Sequence, residues 1–321
     1  MRYGFLGPET TFTHQALLQA LAQHAPEPGF AGDEAVLVPF ASVATAATDL
    51  LAGELDALMA PIENSVEGGV SGTLDVLAAT SDITIVAEEI VPITFVLASR
   101  EPMDLAEVTQ VASHTHAQAQ VQGWLRAHVP GASVVPASST AAAAKELAAA
   151  SVEETRGRAA ICSPLAAQHF GLTVLSEGIE DTRGAQTRFV LVTRDGRIPA
   201  RTGADKTTLV VQLPHNRSGA LLEALHQFQT HGVNLSRIES RPTGDTLGRY
   251  SFSIDIEGHL ADRRVGDALR GLRRVCPVVH FLGSYPRADG LRPATSEATS
   301  DAAYDAAHEW VVALTRQISG R

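Results

Sequence analysis

The chain has 321 residues and a mass of 33.8 kDa, about twice one ordinary domain, so two compact units and a tail are expected. Hydrophobic residues make up 45% and charged residues 19%, a globular balance that excludes a disordered polymer. With 36 acidic against 25 basic side chains the net charge is -11, which argues against a surface built to wrap nucleic acid.

The charge is unevenly placed. Residues 1–198 hold 23 acidic and 10 basic side chains, whereas residues 199–321 hold 13 and 15, so the balance changes sign where a domain boundary is expected. Cys162 and Cys276 are too few for a disulfide framework or a thiolate metal cluster, and their apolar surroundings mark them as small buried hydrophobes. Met1-Arg2 runs straight into strand-like residues without the apolar run of a signal peptide, and no stretch reaches the roughly 18 apolar residues of a membrane span. A cytoplasmic protein without a membrane partner is expected.

Arg2 to Leu6 reads as a strand, followed by the turn Gly7-Pro8-Glu9-Thr10-Thr11 and a helix from Thr13 to Gln23. Val36-Leu37-Val38-Pro39 is a strand, Ser42 the N-cap of an alanine-rich helix through Leu51, and Leu58 to Ile62 another strand. Alternating strands and helices predict an α/β layer. Directly after Ile62 comes the polar loop Glu63-Asn64-Ser65-Val66-Glu67-Gly68-Gly69. Ligands in such sheets gather beyond the carboxyl ends of strands, where hydroxyls, an amide and backbone N–H groups suit an anion. A plain connecting turn is the competing reading.

A second α/β stretch begins near Ile83, with strands over Ile83–Ala87 and Val91–Leu97, a helix over His116–His128, and a short strand over Ser133–Pro136. Ser138-Ser139-Thr140 caps a helix through Ala150, Ala159–Cys162 is a strand, Ser163-Pro164 opens a helix, and Leu172–Leu175 closes the stretch. The chain then returns to the first lobe through Gln186–Val192. Two lobes of similar size leave a cleft, a favoured ligand site. Thr187 and Arg188 are adjacent on that returning strand, so simple alternation sends only one of them into the cleft. Either a bulge re-aims the other, or Arg188 supports the surrounding structure.

Residues 194–206 read as a polar linker. Strand, helix, strand, strand, helix, strand follow over Thr207–Leu213, Ser218–Thr230, Val233–Glu239, Tyr250–Glu257, Asp262–Leu272 and Val278–Gly283, which is ferredoxin-like βαββαβ order. One face of such a sheet is free of helices and open to pairing with a second copy. Tyr285–Ser300 is irregular, and residues 301–318 carry an apolar stripe of Ala307, Trp310, Val311, Leu314 and Ile318, expected to dock on the protein's own surface.

Familiar catalytic devices are absent: no dinucleotide or phosphate-loop fingerprint, no His-Glu-x-x-His, no Gly-x-Ser-x-Gly, no Cys-x-x-Cys. His114 and His116, two apart, do not share a helical face and read as a satisfied or solvent-facing pair rather than a metal site. The residues alone describe a two-lobed protein without cofactor or metal, with a hydroxyl-rich cleft; an enzyme and a ligand sensor fit equally.

Three segments of the first 193 residues resemble prephenate dehydratases: Gly7-Pro8-Glu9-Thr10-Thr11-Phe12-Thr13-His14, Pro61-Ile62-Glu63-Asn64-Ser65-Val66-Glu67-Gly68, and Thr187-Arg188-Phe189. Gly219-Ala220-Leu221 and Glu239-Ser240-Arg241-Pro242 resemble the regulatory ACT module that follows the catalytic part in that family. The resemblance covers about residues 1–285 in the family's order, without a preceding chorismate mutase domain, as in the monofunctional form. It implies an α/β, two-lobed, periplasmic-binding-protein-like catalytic domain over 1–193, with one lobe from 1–77 plus 177–193 and the other from 78–176. A linker over 194–206, an ACT domain over 207–285 and a tail over 286–321 complete the organisation.

The implied reaction takes prephenate to phenylpyruvate, carbon dioxide and water, with no cofactor. By this resemblance Thr187 stands at the leaving hydroxyl, and Thr11, Thr13, Asn64, Ser65, Thr140, Arg188 and Phe189 position the substrate. L-phenylalanine is the implied effector, at the seam of a homodimer or homotetramer, near Asn216, Gly219, Ala220, Leu221, Asn234, Leu235, Glu239 and Ser240. Arogenate dehydratase, which shares the fold and leaving group, and a non-catalytic amino-acid sensor are the alternatives. Two positions depart from the family: Thr10 stands where glycine is usual, and Gly184-Ala185-Gln186 precedes Thr187 where asparagine is frequent.

Overall fold

The computed structural model describes residues 1–24, 35–80, 82–194, 196–214, 217–243 and 250–318. The chain begins β1 (Arg2–Leu6), α1 (Phe12–His24), β2 (Val36–Phe40), α2 (Val43–Ala52), β3 (Ala57–Asn64), β4 (Gly68–Gly69), α3 (Ser71–Ala79) and β5 (Thr84–Pro92). It continues β6 (Val96–Ser99), β7 (Gln110–Ser113), α4 (Thr115–Gln120), α5 (Gln122–His128), β8 (Ser133–Pro136), α6 (Thr140–Ala149), β9 (Arg158–Cys162), α7 (Pro164–His169), β10 (Thr173–Glu177) and β11 (Gln186–Thr193). Then come β12 (Asp205–Gln212), α8 (Ala220–Thr230), β13 (Leu235–Pro242), β14 (Tyr250–Glu257), α9 (Arg263–Val275), β15 (Val278–Pro286) and α10 (Asp301–Thr315). Two compact units result: Met1–Thr73 with Glu89–Leu191, and Leu74–Glu88 with Val192–Arg321.

The first unit contains two lobes, each built on a sheet. In one the strand order is β2-β1-β3-β11-β5, with β4 folded back antiparallel on β3; in the other it is β10-β6-β9-β7-β8. The chain crosses to the second sheet after β5 and returns in β11, so two connections join the lobes. The strand over 84–92 therefore belongs to the first sheet, and the crossing comes after Pro92 rather than near residue 78. β5 lies at the edge of that sheet, yet six of its nine residues are buried, so its apolar run reads like a strand of either sheet.

The caps explain several boundaries. Ser42 Oγ accepts from the Thr45 N–H at 3.2 Å, and Gly53, at φ +81°, closes the same helix in the left-handed conformation that glycine tolerates. Ser139 and Ser163 cap α6 and α7, the latter with Pro164 in the first turn. The single helix expected over His116–His128 is broken at Val121. Asp181, distant in sequence, takes the N–H groups of Gly123 and Trp124 at 2.7 and 2.8 Å, so α5 starts afresh with a tertiary cap.

Small side chains let the helices of the second lobe approach closely. Ala143, Ala144, Ala166 and Ala167 pack with Val96, Ala98, Ala160 and Cys162 on one side of the sheet. On the other side Leu97, Val111 and Ile161 meet Val121 and Leu125. Burial pushes the Cys162 thiol up to about 12 and also raises that of Cys276, in keeping with two small core residues.

In the second unit an antiparallel sheet has the order β13-β14-β12-β15, the ferredoxin-like arrangement. Helices α8 and α9 cover one face through Phe228, Val265 and Leu272 against Leu209, Val211 and Ile254. The opposite face is not bare. Thr208 Oγ1 donates to Asp255 Oδ1 at 2.7 Å, Arg237 Nε reaches Asp255 Oδ2 at 2.8 Å, and Lys206 Nζ meets both oxygens of Glu88 at 3.0 and 2.8 Å, all in buried positions. Paired and hydrogen-bonded, these charges avoid the desolvation cost of isolation.

The tail helix α10 departs from expectation. Its first turns are tied down, with Asp301 on Arg201 at 2.7 Å and Tyr304 Oη against His231 Nδ1 at 2.8 Å. Ala307, Trp310, Val311, Leu314 and Ile318 nevertheless stay exposed instead of docking on the chain's own surface, Trp310 at 65%. Polar anchors at one end, which periodicity does not weigh, decide which way the helix faces.

Candidate active site

A cavity of ≈ 450 Å³ opens between the two lobes of the first unit. Leu6, Gly7, Thr11, Phe12 and Thr13, from the end of β1 and the start of α1, line one part; Asn64 ends β3, Glu67 lies in the loop that follows it, and Thr187 and Phe189 are on β11. The second lobe contributes His114, His116 and Gln120 around α4, and Ser138, Ser139 and Thr140 at the start of α6. Ile93 and Phe95 supply apolar wall.

On β11 the alternation is simple. Thr187 and Phe189 both line the cavity, while Arg188 does not. Arg188 is buried on the other side of the strand, its Nη1 3.6 Å from Glu63 Oε2. Strand alternation accounts for this placement, so of the two roles left open for Arg188 the geometry favours support over substrate contact.

Thr187 Oγ1 accepts a hydrogen bond from Asn64 Nδ2 at 2.8 Å. The orientation of that amide is set from its other end: Asn64 Oδ1 accepts from the N–H groups of Val66 and Glu67 at 2.8 and 3.1 Å. Oδ1 can only accept, so Nδ2 must face the threonine. With Oγ1 already an acceptor, the Thr187 proton is left to point elsewhere.

Ser65 lies beside this pair but does not line the cavity. Its Oγ accepts from the Gln186 N–H at 2.9 Å and its own N–H donates to Gln186 O at 2.9 Å, stitching the loop to the start of β11. That stitch uses only the backbone of Gln186, so the absence of asparagine before Thr187 does not disturb it.

Thr11 lines the cavity, but its hydroxyl serves the fold: Oγ1 lies 3.0 Å from the carbonyls of Leu6 and Pro8 and accepts from the His14 N–H at 3.3 Å. Thr13 is buried against the cavity. Thr10 has φ +66°, a conformation that explains why glycine is usual at this position. Its N–H donates to His14 Nδ1 at 3.0 Å, Oγ1 donates to Glu9 O at 2.6 Å, and its carbonyl accepts from Ser163 Oγ at 3.2 Å across the lobes. Burial lowers the pKa of His14, whose ring stacks on Phe5 at 4.7 Å, with Glu9 opposing and His169 adding to the shift.

Two helix N-termini, α1 of one lobe and α6 of the other, open onto the same cavity. Each presents its first-turn N–H groups and the positive end of a helix dipole. Thr140 occupies the first turn of α6, just after its Ser139 cap. In a half of the chain with a surplus of acidic side chains, these termini supply local positive potential suited to a dianion.

His114, His116 and Gln120 were not legible as site residues, and Glu67 was legible only as part of the polar loop after Ile62. The two histidines are satisfied, as expected: His114 Nδ1 accepts from the His116 N–H at 3.3 Å, and His116 Nδ1 lies 3.0 Å from Glu67 Oε2. Their place at the cavity depends on contacts 49 residues apart in sequence, which no local spacing encodes. Among the described residues no cluster of His, Cys, Asp or Glu is placed to hold a metal ion, and no helix is long and apolar enough to cross a membrane.

Seven of the eight residues assigned to the effector are described, and they fall in the second unit. Gly219 precedes α8 at φ +83°, with no atom within 4 Å of where a Cβ would stand, so backbone conformation rather than crowding calls for glycine. Ala220 is buried and Leu221 half-buried at the start of α8; Asn234 and Leu235 enter β13, and Glu239 and Ser240 lie in its second half. Asn216 lies outside the described residues.

Comparison with known proteins gives these features a family. Residues 3–197 match the prephenate dehydratase family model and residues 207–274 the ACT domain model. A prephenate dehydratase of Amycolatopsis methanolica is 42% identical over 316 residues, covering 98% of each chain. The crystal structure of an Arthrobacter aurescens prephenate dehydratase in complex with L-Phe is 50% identical with a TM-score of 0.87, covering 98% of this chain and 100% of that one. A structure described as a novel type of quorum quenching acylase is 27% identical with a TM-score of 0.75, covering 89% of this chain and 98% of that one, so the fold carries more than one chemistry. The family models and the full-length relative agree with the two-lobed cavity and the ferredoxin-like module: this chain belongs to the prephenate dehydratase family and carries an ACT domain after its catalytic region.

Proposed function

We propose that this chain dehydrates and decarboxylates prephenate, with Thr187 as the hydrogen-bond donor to the departing hydroxyl. The observation that carries this reading is the Asn64–Thr187 pair in the interlobe cavity, which leaves the threonine proton directed away from its fixed neighbour. As the carboxylate leaves as carbon dioxide, its electron pair enters the ring, the ring becomes aromatic, and hydroxide departs and takes up one proton to become water. A donor to that oxygen is the central need, and general-acid assistance is worth roughly 10²–10⁴ in rate. An alcohol releases its proton reluctantly, so Thr187 acts as a polarised donor within a hydrogen-bonded chain, and the net proton comes from solvent.

The substrate carboxylates are assigned to the N-termini of α1 and α6, with Thr13 and Thr140 beside them, and the ring to the apolar wall of Phe189 and Phe95. Thr11, Ser65 and Arg188 are assigned to support: the first holds its loop, the second stitches β11, the third lies behind the strand. Formation of phenylpyruvate from prephenate, read by its absorbance in alkali, tests the activity. The ratio of kcat/KM for prephenate to that for arogenate tests the substrate, and no product from either leaves a binding protein.

L-phenylalanine is the effector we assign to the ACT domain, near Gly219–Leu221, Asn234–Leu235 and Glu239–Ser240, with Asn216 alongside. Support comes from the relative solved with L-Phe and from β13, an edge strand with Ile238 exposed, which gives a second copy of the chain an open edge to pair with. Calorimetry with millimolar phenylalanine, paired with sedimentation to separate monomer, dimer and tetramer, checks both; absence of heat at that concentration overturns the effector assignment.

A further inference from the structure

We propose that Glu67 is a rim latch that holds the two lobes together over the cavity and couples their closure to the Asn64–Thr187 pair; its kinetic consequence rests on the dehydratase reading, its mechanical one does not. Glu67 belongs to the loop between β3 and β4 of the first lobe. Its carboxylate is shared by two side chains of the second lobe, His116 Nδ1 at 3.0 Å from Oε2 and Gln120 Nε2 at 3.0 Å from Oε1. His116 and Gln120 are four apart on α4 and so lie on one face of the helix, and all three residues line the cavity.

The backbone end of the same residue reaches the chemistry. The Glu67 N–H donates to Asn64 Oδ1, one of the two bonds that orient the amide toward Thr187. A carboxylate gripped by the opposite lobe therefore keeps its own N–H in register with the group that aims the hydroxyl. When the lobes part, the loop loses its outer anchor and Asn64 loses part of what fixes its rotation. Glu67 touches the reaction only through Asn64, which makes it a positioning residue.

The test is a set of three proteins, Glu67→Ala, His116→Ala and the double variant, with Glu67→Gln as the conservative control. The latch predicts a rise in KM of about fivefold in Glu67→Ala, larger than the change in kcat, a smaller rise in His116→Ala, where Gln120 still holds the carboxylate, no rise in the double variant beyond that of Glu67→Ala, and recovery of most of the loss in Glu67→Gln, which retains two hydrogen-bonding ends. Hydrogen exchange on the substrate-free protein gives a readout independent of activity: each single substitution is expected to speed exchange in both 64–68 and 115–121, on opposite lobes. Additive KM effects, or exchange that changes only in the segment bearing the substitution, would overturn the latch. A wild-type protein that makes no phenylpyruvate would overturn the dehydratase reading instead, and the exchange result would still decide the latch.

Discussion

Asn64 donates to Thr187 across 123 residues of sequence, and its amide is held in the donating orientation by two backbone N–H groups of its own loop. The pair joins the end of β3 to the start of β11, neighbouring strands of one sheet, so the hydroxyl is placed by rigid elements rather than by a mobile turn.

This arrangement predicts a graded response. Thr187→Ala removes the donor and is expected to lower kcat by roughly 10²–10⁴ with a smaller change in KM, whereas Thr187→Ser keeps a hydroxyl and most of the rate. Asn64→Asp replaces the donor with an acceptor and is expected to depress kcat without greatly changing substrate affinity. Steady-state kinetics check all three, and a Thr187→Ala enzyme with near-normal kcat would end the assignment.

For Arg188 the expected effect is on stability. Its burial behind β11 and its approach to Glu63 mean that Arg188→Met strips a buried cation from its surroundings, at a cost of about 1–3 kcal/mol. The melting temperature should fall, while KM at a temperature where the variant is folded should rise by no more than about threefold. A large KM increase with unchanged melting would place the guanidinium on the substrate.

Much of the architecture could be read before the structure. Serine caps at 42, 139 and 163, the βαββαβ order after residue 206, and the return of the chain at 186–192 all follow from local pattern, because caps and periodicity act over a few residues. Strand alternation at Thr187–Arg188 was also legible, though not which of the pair faced inward. What escaped depends on partners remote in sequence. Asp181 restarts a helix, Glu67 meets His116, and strand 84–92 joins the first sheet through a pairing its own residues do not specify.

The departure at Thr10 makes a separate prediction. A β-branched residue at φ +66° sits where glycine is at ease, and such conformations cost roughly 1–2 kcal/mol. At an ordinary position alanine is more stabilising than glycine; at position 10 the order should reverse, with Thr10→Gly more stable than Thr10→Ala by about 1 kcal/mol and melting at the higher temperature. The comparison cancels the loss of the threonine methyl and hydroxyl, common to both variants. Alanine melting higher would mean that the loop adopts another conformation.

His14 supplies a pH dependence. Its Nδ1 accepts from the Thr10 N–H, so the folded protein holds the neutral ring, and burial lowers its pKa below the ordinary 6.5. The unfolded chain therefore binds a proton first as pH falls through about 6.5, while the folded chain resists; stability contributed by the neutral ring is present above that value and is lost on acidification below it. His14→Asn keeps an acceptor for Thr10 but removes the titration. Between about pH 7.5 and about pH 5.5 the melting temperature of the wild type should fall further than that of His14→Asn, the acid response of the other groups being common to both. His114, whose pKa is also lowered, chiefly by burial, remains in both proteins and does not affect the difference. Parallel melting curves across that range would show that folding does not change how readily His14 takes up a proton, and the buried, accepting ring stacked on Phe5 would have to be redrawn.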